Sequence, residues 1–212
     1  MSKLPGLILV LLISLGALAI AAEKPFAGGY LLLGDAAALS KGDKIVVEEF
    51  VSPSCANCYL FWKNRKPLGD DVELKIHYLF DKDHGERPVR LMLVARDLGP
   101  ETEEKTLTAI FAAQFESKAN VEDEDVLDAL AGSLGFGDAW QAKKNSPEMN
   151  KRIQDLAAFL VARGVDRGPR LIVQGVLSIS TGTCQCQGDE LPGAVNGLLD
   201  KVRQYRKEHP AK

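Results

Sequence analysis

Lys44-Ile45-Val46-Val47-Glu48-Glu49-Phe50-Val51, followed by Ser52-Pro53-Ser54-Cys55-Ala56-Asn57-Cys58-Tyr59, is the stretch on which the reading of the fold turns. Its first half is short, β-branched and nearly continuous, which suits a strand buried on both faces of a mixed or parallel sheet. Ser52-Pro53-Ser54 breaks that run. From Ala56 to Lys66 the residues are helix-compatible, with Tyr59, Phe61 and Trp62 free to pack, and Pro67-Leu68-Gly69 stops them. Cys55 therefore falls at a strand-to-helix junction, with Cys58 one turn behind it on the same helix face and within disulfide reach. The unpaired N–H groups and positive dipole end of a helix start favour a thiolate at Cys55, and the thiolate is the attacking form. Cys58 would then resolve the mixed disulfide that Cys55 makes with a substrate.

The same spacing is half of many zinc sites, and thiolates also hold Cu(I), so a periplasmic soft-metal or chaperone-like carrier is the competing reading. Zinc needs further ligands. The other two cysteines, Cys184 and Cys186, are one residue apart and distant in sequence, and the three histidines form no cluster with them. Thiol-disulfide exchange requires no cofactor and no metal. His77, His84 and His209 read as solvated, and Trp62 and Trp140 as packing residues. The acidic run Glu122-Asp123-Glu124-Asp125 reads as a helix N-terminus favoured by the dipole.

Working outward, Val72 to Phe80 alternates, with Val72, Leu74, Ile76, Tyr78 and Phe80 on one face and Glu73, Lys75, His77 and Leu79 on the other, as a half-buried strand does. Between about Arg87 and Gly164 the period becomes helical. One segment carries Leu107, Ile110, Phe111 and Phe115, and another Val126, Leu127, Leu130 and Leu134. A third has Ser146 as N-cap, Pro147 at its first position and Gly164 as its stop. Arg170 to Val173 and Val176 to Ser180 then form a hairpin about Gln174-Gly175, and Leu191, Val195, Leu198, Leu199 and Val202 stripe a last amphipathic helix. Strand, helix, strand, helical block, hairpin, helix is the order of a single α/β unit interrupted by a mostly helical insertion.

Val47-Glu48-Glu49-Phe50 leading into Cys55-Ala56-Asn57-Cys58-Tyr59, the helical block, and Arg163-Gly164-Val165 before Pro169-Arg170-Leu171-Ile172-Val173-Gln174-Gly175 resemble the DsbA-like thiol:disulfide oxidoreductases of the thioredoxin superfamily. The resemblance runs from about Tyr30 to Tyr205. It implies a thioredoxin-like fold with a helical insertion, at about 87–164, between the second strand and the cis-proline strand. It implies Pro169 as that cis-proline, and the backbone of Gly168 as the place where an extended substrate pairs. Glu49, six residues before Cys55, matches the buried acid that moves the proton of the resolving cysteine, although Glu48 beside it leaves the facing of the strand open. One departure stands out: the family shows Val or Thr directly before the proline, whereas here Asp166-Arg167-Gly168 separate Val165 from Pro169. Ala56-Asn57 is neither the Pro-His of strongly oxidising members nor the Gly-Pro of reducing thioredoxins, so the direction of electron flow stays open.

Cys184 and Cys186 have three readings: a second redox pair exchanging with Cys55 and Cys58, a local bridge, or a link to another chain. At the N-terminus, Lys3 precedes an apolar run from Leu7 to Ile20 ending in Ala19, Ala21 and Ala22, the pattern of a secretory signal peptide over residues 1–22, with a retained membrane anchor as the alternative. Residues 23–212 would form the mature, periplasmic or otherwise extracytoplasmic domain. The whole sequence of 212 residues has a net charge of −3, which does not favour nucleic acid or an anionic membrane as partner. Protein thiols and disulfides are the expected substrates, with a membrane or soluble redox partner.

Overall fold

The computed structural model describes residues 24–80 and 85–210; residues 1–22, expected to be a signal peptide, and His84 fall outside them. Five strands form one mixed sheet in the order β1 (Leu31–Leu32), β5 (Leu177–Ser180), β4 (Arg170–Val173), β2 (Ile45–Val51), β3 (Val72–Tyr78). β2 and β3 are parallel and the other neighbours antiparallel. The parallel pair requires a crossover, which α1 (Ala56–Lys63) supplies. That helix ends before Lys66, because the Asn64 side chain caps it by donating to the Leu60 carbonyl at 2.8 Å.

Alternation along β2 explains how the sheet is covered. Ile45 and Val47 face a core shared with Phe61 of α1 and with α8 (Leu191–Glu208), whose Val195, Leu198, Leu199 and Val202 are buried. Phe50 faces the other way, into a cluster with Leu79, Leu160, Val165 and Ile172 under α6 (Pro147–Arg163). The alternation in Val72–Phe80 put Leu79 and His77 on the solvent face; instead Leu79 is buried and His77 half-buried beneath a helix. His77 is held between Phe50 and Phe159, with ring centroids at 5.0 and 4.7 Å. Burial lowers its pKa from the ordinary value.

Between β3 and β4 stand α2 (Glu86–Leu98), α3 (Pro100–Phe111) with a π turn at Ala112–Glu116, α4 (Glu124–Ser133), α5 (Gly137–Lys143) and α6. The fold is thioredoxin-like with its helical insertion before the cis-proline strand. Periodicity picked out three of these helices. It missed α2, whose run Leu91-Met92-Leu93-Val94-Ala95 is continuously apolar and buried and so does not show its period, although Arg87, Asp97 and Leu98 leave one face exposed. The boundaries of α6 follow the sequence signals. The Ser146 hydroxyl accepts from the Met149 N–H at 3.1 Å, and Gly164 closes the helix at φ 61°. Between β4 and β5, where Val173 pairs with Leu177, Gln174 and Gly175 both take positive φ, 51° and 71°, as the central pair of a tight turn closed by the Val176 N–H on the Val173 carbonyl.

Candidate active site

Cys55 and Cys58 are thiols, the first half-buried and the second buried. Cys55 is the N-cap of α1, its sulfur accepting from the Cys58 N–H at 3.4 Å. Its pKa falls from 9.0 to about 6. The Cys58 side chain donating to it is the main cause, and the backbone N–H groups of Cys58 and Asn57 add to it against the effect of burial. Cys58 moves the opposite way, well above its ordinary range, because it is buried and would share the site with a neighbouring thiolate. A half-buried sulfur with a lowered pKa beside a buried one with a raised pKa is the chemistry that an attacking and a resolving thiol require.

The peptide bond Gly168-Pro169 is cis. The Gly168 carbonyl lies 3.4 Å from the Cys55 sulfur, so the chain just before β4 passes directly beside it. A Cβ at Gly168 would stand 2.7 Å from the Phe50 carbonyl oxygen, 2.9 Å from Leu79 Cδ1 and 3.1 Å from Cys58 Sγ. Glycine is the residue that fits this approach without a shift of its neighbours. A groove of about 450 Å³ opens beside the two residues, lined by Ser52, Ser54, Cys55, Leu79, Phe80, Gln114, Asn120, Glu122, Asp166, Arg167 and Gly168. Tyr59, stacked on Phe115 with centroids 5.1 Å apart, ties α1 to the insertion beside it.

Alternation decides the two acids of β2. Glu48 points toward α6, where Arg163 donates to it at 2.7 Å and His77 Nε2 lies 3.4 Å away. Glu49 points toward α1, and its field helps to raise the Cys58 pKa. It is buried, one carboxylate oxygen has no hydrogen-bond partner, and Arg65 is 3.9 Å from the other. Desolvation raises its pKa, with Arg65 opposing. The sign follows: a carboxyl raised in the folded state contributes stability below its unfolded pKa, here about 4.5, and loses it as pH rises through the folded pKa. Glu49→Gln is therefore expected to match the wild type in urea unfolding near pH 4 and to be the more stable of the two at pH 8. Equal stability at both pH values would contradict this burial cost.

Glu122 was absent from the sequence assignment of the site. The helix-dipole reading fits its neighbours: Asp123 caps α4, and Glu124 and Asp125 lie in its first turn. Glu122 instead accepts from the Gly85 N–H at 2.6 Å and from the Ser54 hydroxyl at 3.3 Å, joining the loop before Cys55 to the insertion. No sequence signal separates it from the acidic run, since its partners come from other elements. Cys184 and Cys186 form a local disulfide, away from the groove, at the end of a four-residue helix, α7 (Thr181–Cys184). Among the described residues, no group of three or more His, Cys, Asp or Glu side chains is arranged to hold a metal ion.

No protein-family model and no curated protein sequence matches the chain. Solved structures do. The oxidoreductase NmDsbA1 from Neisseria meningitidis superposes with a TM-score of 0.62 at 22% identity, over 86% of this chain and 95% of that one. Pseudomonas aeruginosa DsbA gives 0.63 at 20% identity, over 85% and 95%. A Proteus mirabilis DsbA variant with a non-covalently bound peptide gives 0.60 at 16%, over 86% and 100%. With β2, α1, the helical insertion and the cis bond before β4 all in place, the chain has the DsbA-like thioredoxin fold.

Proposed function

We propose that the chain is an extracytoplasmic thiol:disulfide oxidoreductase that passes a Cys55–Cys58 disulfide to, or takes one from, protein substrates. The observation that carries this is the asymmetry of the pair: an accessible sulfur at a helix start, with a pKa of about 6, backed by a buried thiol and flanked by the carbonyl before a cis-proline. In the reducing direction, Cys55 thiolate attacks a substrate disulfide and expels one substrate thiolate. Cys58, having given up its proton, then attacks Cys55 Sγ and releases the second. The oxidising direction is the reverse. Glu49 is placed to receive the Cys58 proton, and an extended substrate segment would pair with Gly168 beside Pro169 in the groove. The DsbA structures share this fold, and the one with bound peptide supports a peptide substrate. Together with the signal-like N-terminus, this favours a periplasmic setting and a separate redox partner that resets the pair.

Equilibrating the protein in graded glutathione buffers, then alkylating and mapping all four cysteines, tests the reading. A reversible Cys55–Cys58 transition is expected. A potential about −120 mV would make it an oxidase and one about −270 mV a reductant; absence of cycling would overturn the proposal. The rate of Cys55 alkylation should follow pH with a midpoint of about 6. At pH 7 the thiolate fraction is roughly 90-fold above that of a thiol of pKa 9, while nucleophilicity drops roughly 20-fold, so alkylation should run about four-fold faster than in the unfolded chain. A midpoint near 9 would remove the helix-start account of the site.

A further inference from the structure

The Cys184–Cys186 bridge has no evident structural task. It closes a loop with one residue between its ends, and so short a ring removes little entropy from the unfolded chain. Both cysteines are only partly buried, so the bridge is open to thiols. The loop carrying it is nevertheless built in closely on both sides. On one side Gly29 lies against it, where a Cβ would come within 2.6 Å of the Thr183 carbonyl oxygen and 2.7 Å of Cys184 Cα. On the other side Gly188, two residues past Cys186, lies against the first turn of α1. A Cβ there would meet the Asn57 carbonyl, and would stand 2.9 Å from Leu60 Cβ. Asn57 is one of the two residues between the active-site cysteines. The loop that carries the bridge thus packs, through Gly188, against the helical turn that holds the active-site cysteines.

We infer that Cys184–Cys186 is a second redox centre that exchanges a disulfide with the Cys55–Cys58 pair within one molecule. The inference rests on the exchange reading of Cys55 and Cys58 given above. In the forward step, Cys55 thiolate attacks one sulfur of the bridge, forming a mixed disulfide and releasing the other sulfur as a thiolate. Cys58 then attacks Cys55 Sγ and breaks the mixed disulfide; its proton passes to one of the freed sulfurs. The active-site dithiol is oxidised to a disulfide and the bridge is reduced to a dithiol, two electrons having moved with no outside oxidant. The attack needs Cys55 to turn from the Gly168 carbonyl toward the α7 loop. Two 3.4 Å contacts hold the Cys55 sulfur, one to the Gly168 carbonyl and one from the Cys58 N–H, and the attack exchanges both for the bridge. Gln185 between the two cysteines holds a left-handed backbone, φ 55°, which opening the bridge would let relax.

Cys58→Ser should arrest exchange after the first step. In that variant, acid-quenched and mapped by mass spectrometry, we expect a crosslink from Cys55 to Cys184 or Cys186, accumulating at a rate that does not change as the protein is diluted. In the wild type, reduced with one equivalent of a dithiol and then alkylated, the disulfide should redistribute between the two pairs with the same independence of concentration. Redistribution proportional to protein concentration, or a Cys184–Cys186 bridge that stays intact beside a free Cys55, would overturn the relay. If the Cys55–Cys58 pair still cycles in glutathione while both experiments give that result, the relay alone fails and the exchange reading stands.

Discussion

Phe50→Ala is expected to lower the stability of the folded chain by about 3–5 kcal/mol. Phe50 is fully buried, and stacks on His77 at 5.0 Å and on Phe159 at 6.2 Å. Leu79, Leu160, Val165 and Ile172 close the rest of its pocket. These neighbours come from β3, β4, α6 and the segments that follow β3 and α6, while Phe50 sits in the interior strand β2, so the cavity cannot be closed by moving one side chain. Such a loss is a large share of the roughly 5–15 kcal/mol that holds a domain together. Urea unfolding should show a lower midpoint at an unchanged slope. The same change strips His77 of one aromatic cover. Because burial is the main cause of its lowered pKa, that pKa should rise toward the value of a free imidazole when followed by NMR. A loss below about 1 kcal/mol, outside the range for a large aromatic, would show that α6 does not seal this side of the sheet.

Gly168→Val should injure stability and exchange together. The first added carbon would lie 2.7 Å from the Phe50 carbonyl oxygen and 3.1 Å from Cys58 Sγ, and a carbonyl in an interior strand, paired on both sides, cannot swing aside. Overpacking of this kind costs about 1–3 kcal/mol. The chain before Pro169 would be pushed off Cys58 and Cys55, so resolution of the mixed disulfide should slow by about tenfold or more, on the scale of 1.4 kcal/mol in the barrier. Stopped-flow exchange with a small disulfide, run beside urea unfolding, reads both effects. Wild-type rate and stability in this variant would mean that the close approach at Gly168 is not what sets the site's geometry.

The sequence by itself determined the elements whose signals are local. β2 is a β-branched run ended by Ser52-Pro53-Ser54; α6 opens with Ser146-Pro147 and closes with Gly164; α8 carries its stripe at helical spacing. Cys55 and Cys58 were legible for the same reason, because one helical turn separates them wherever the chain goes. Only the tertiary structure decided which face each strand residue meets, since alternation gives two faces but not what covers them. It turned Glu49 toward Cys58 and Glu48 toward Arg163. It buried Leu79 and half-buried His77 beneath α6, and it buried the continuous apolar run Leu91–Ala95 of α2. It also brought Glu122 to Ser54, Gly168 to Cys58 and Gly188 to Asn57. These pairs are far apart along the chain, and a contact closed across a long loop leaves no periodic trace in the residues between its ends.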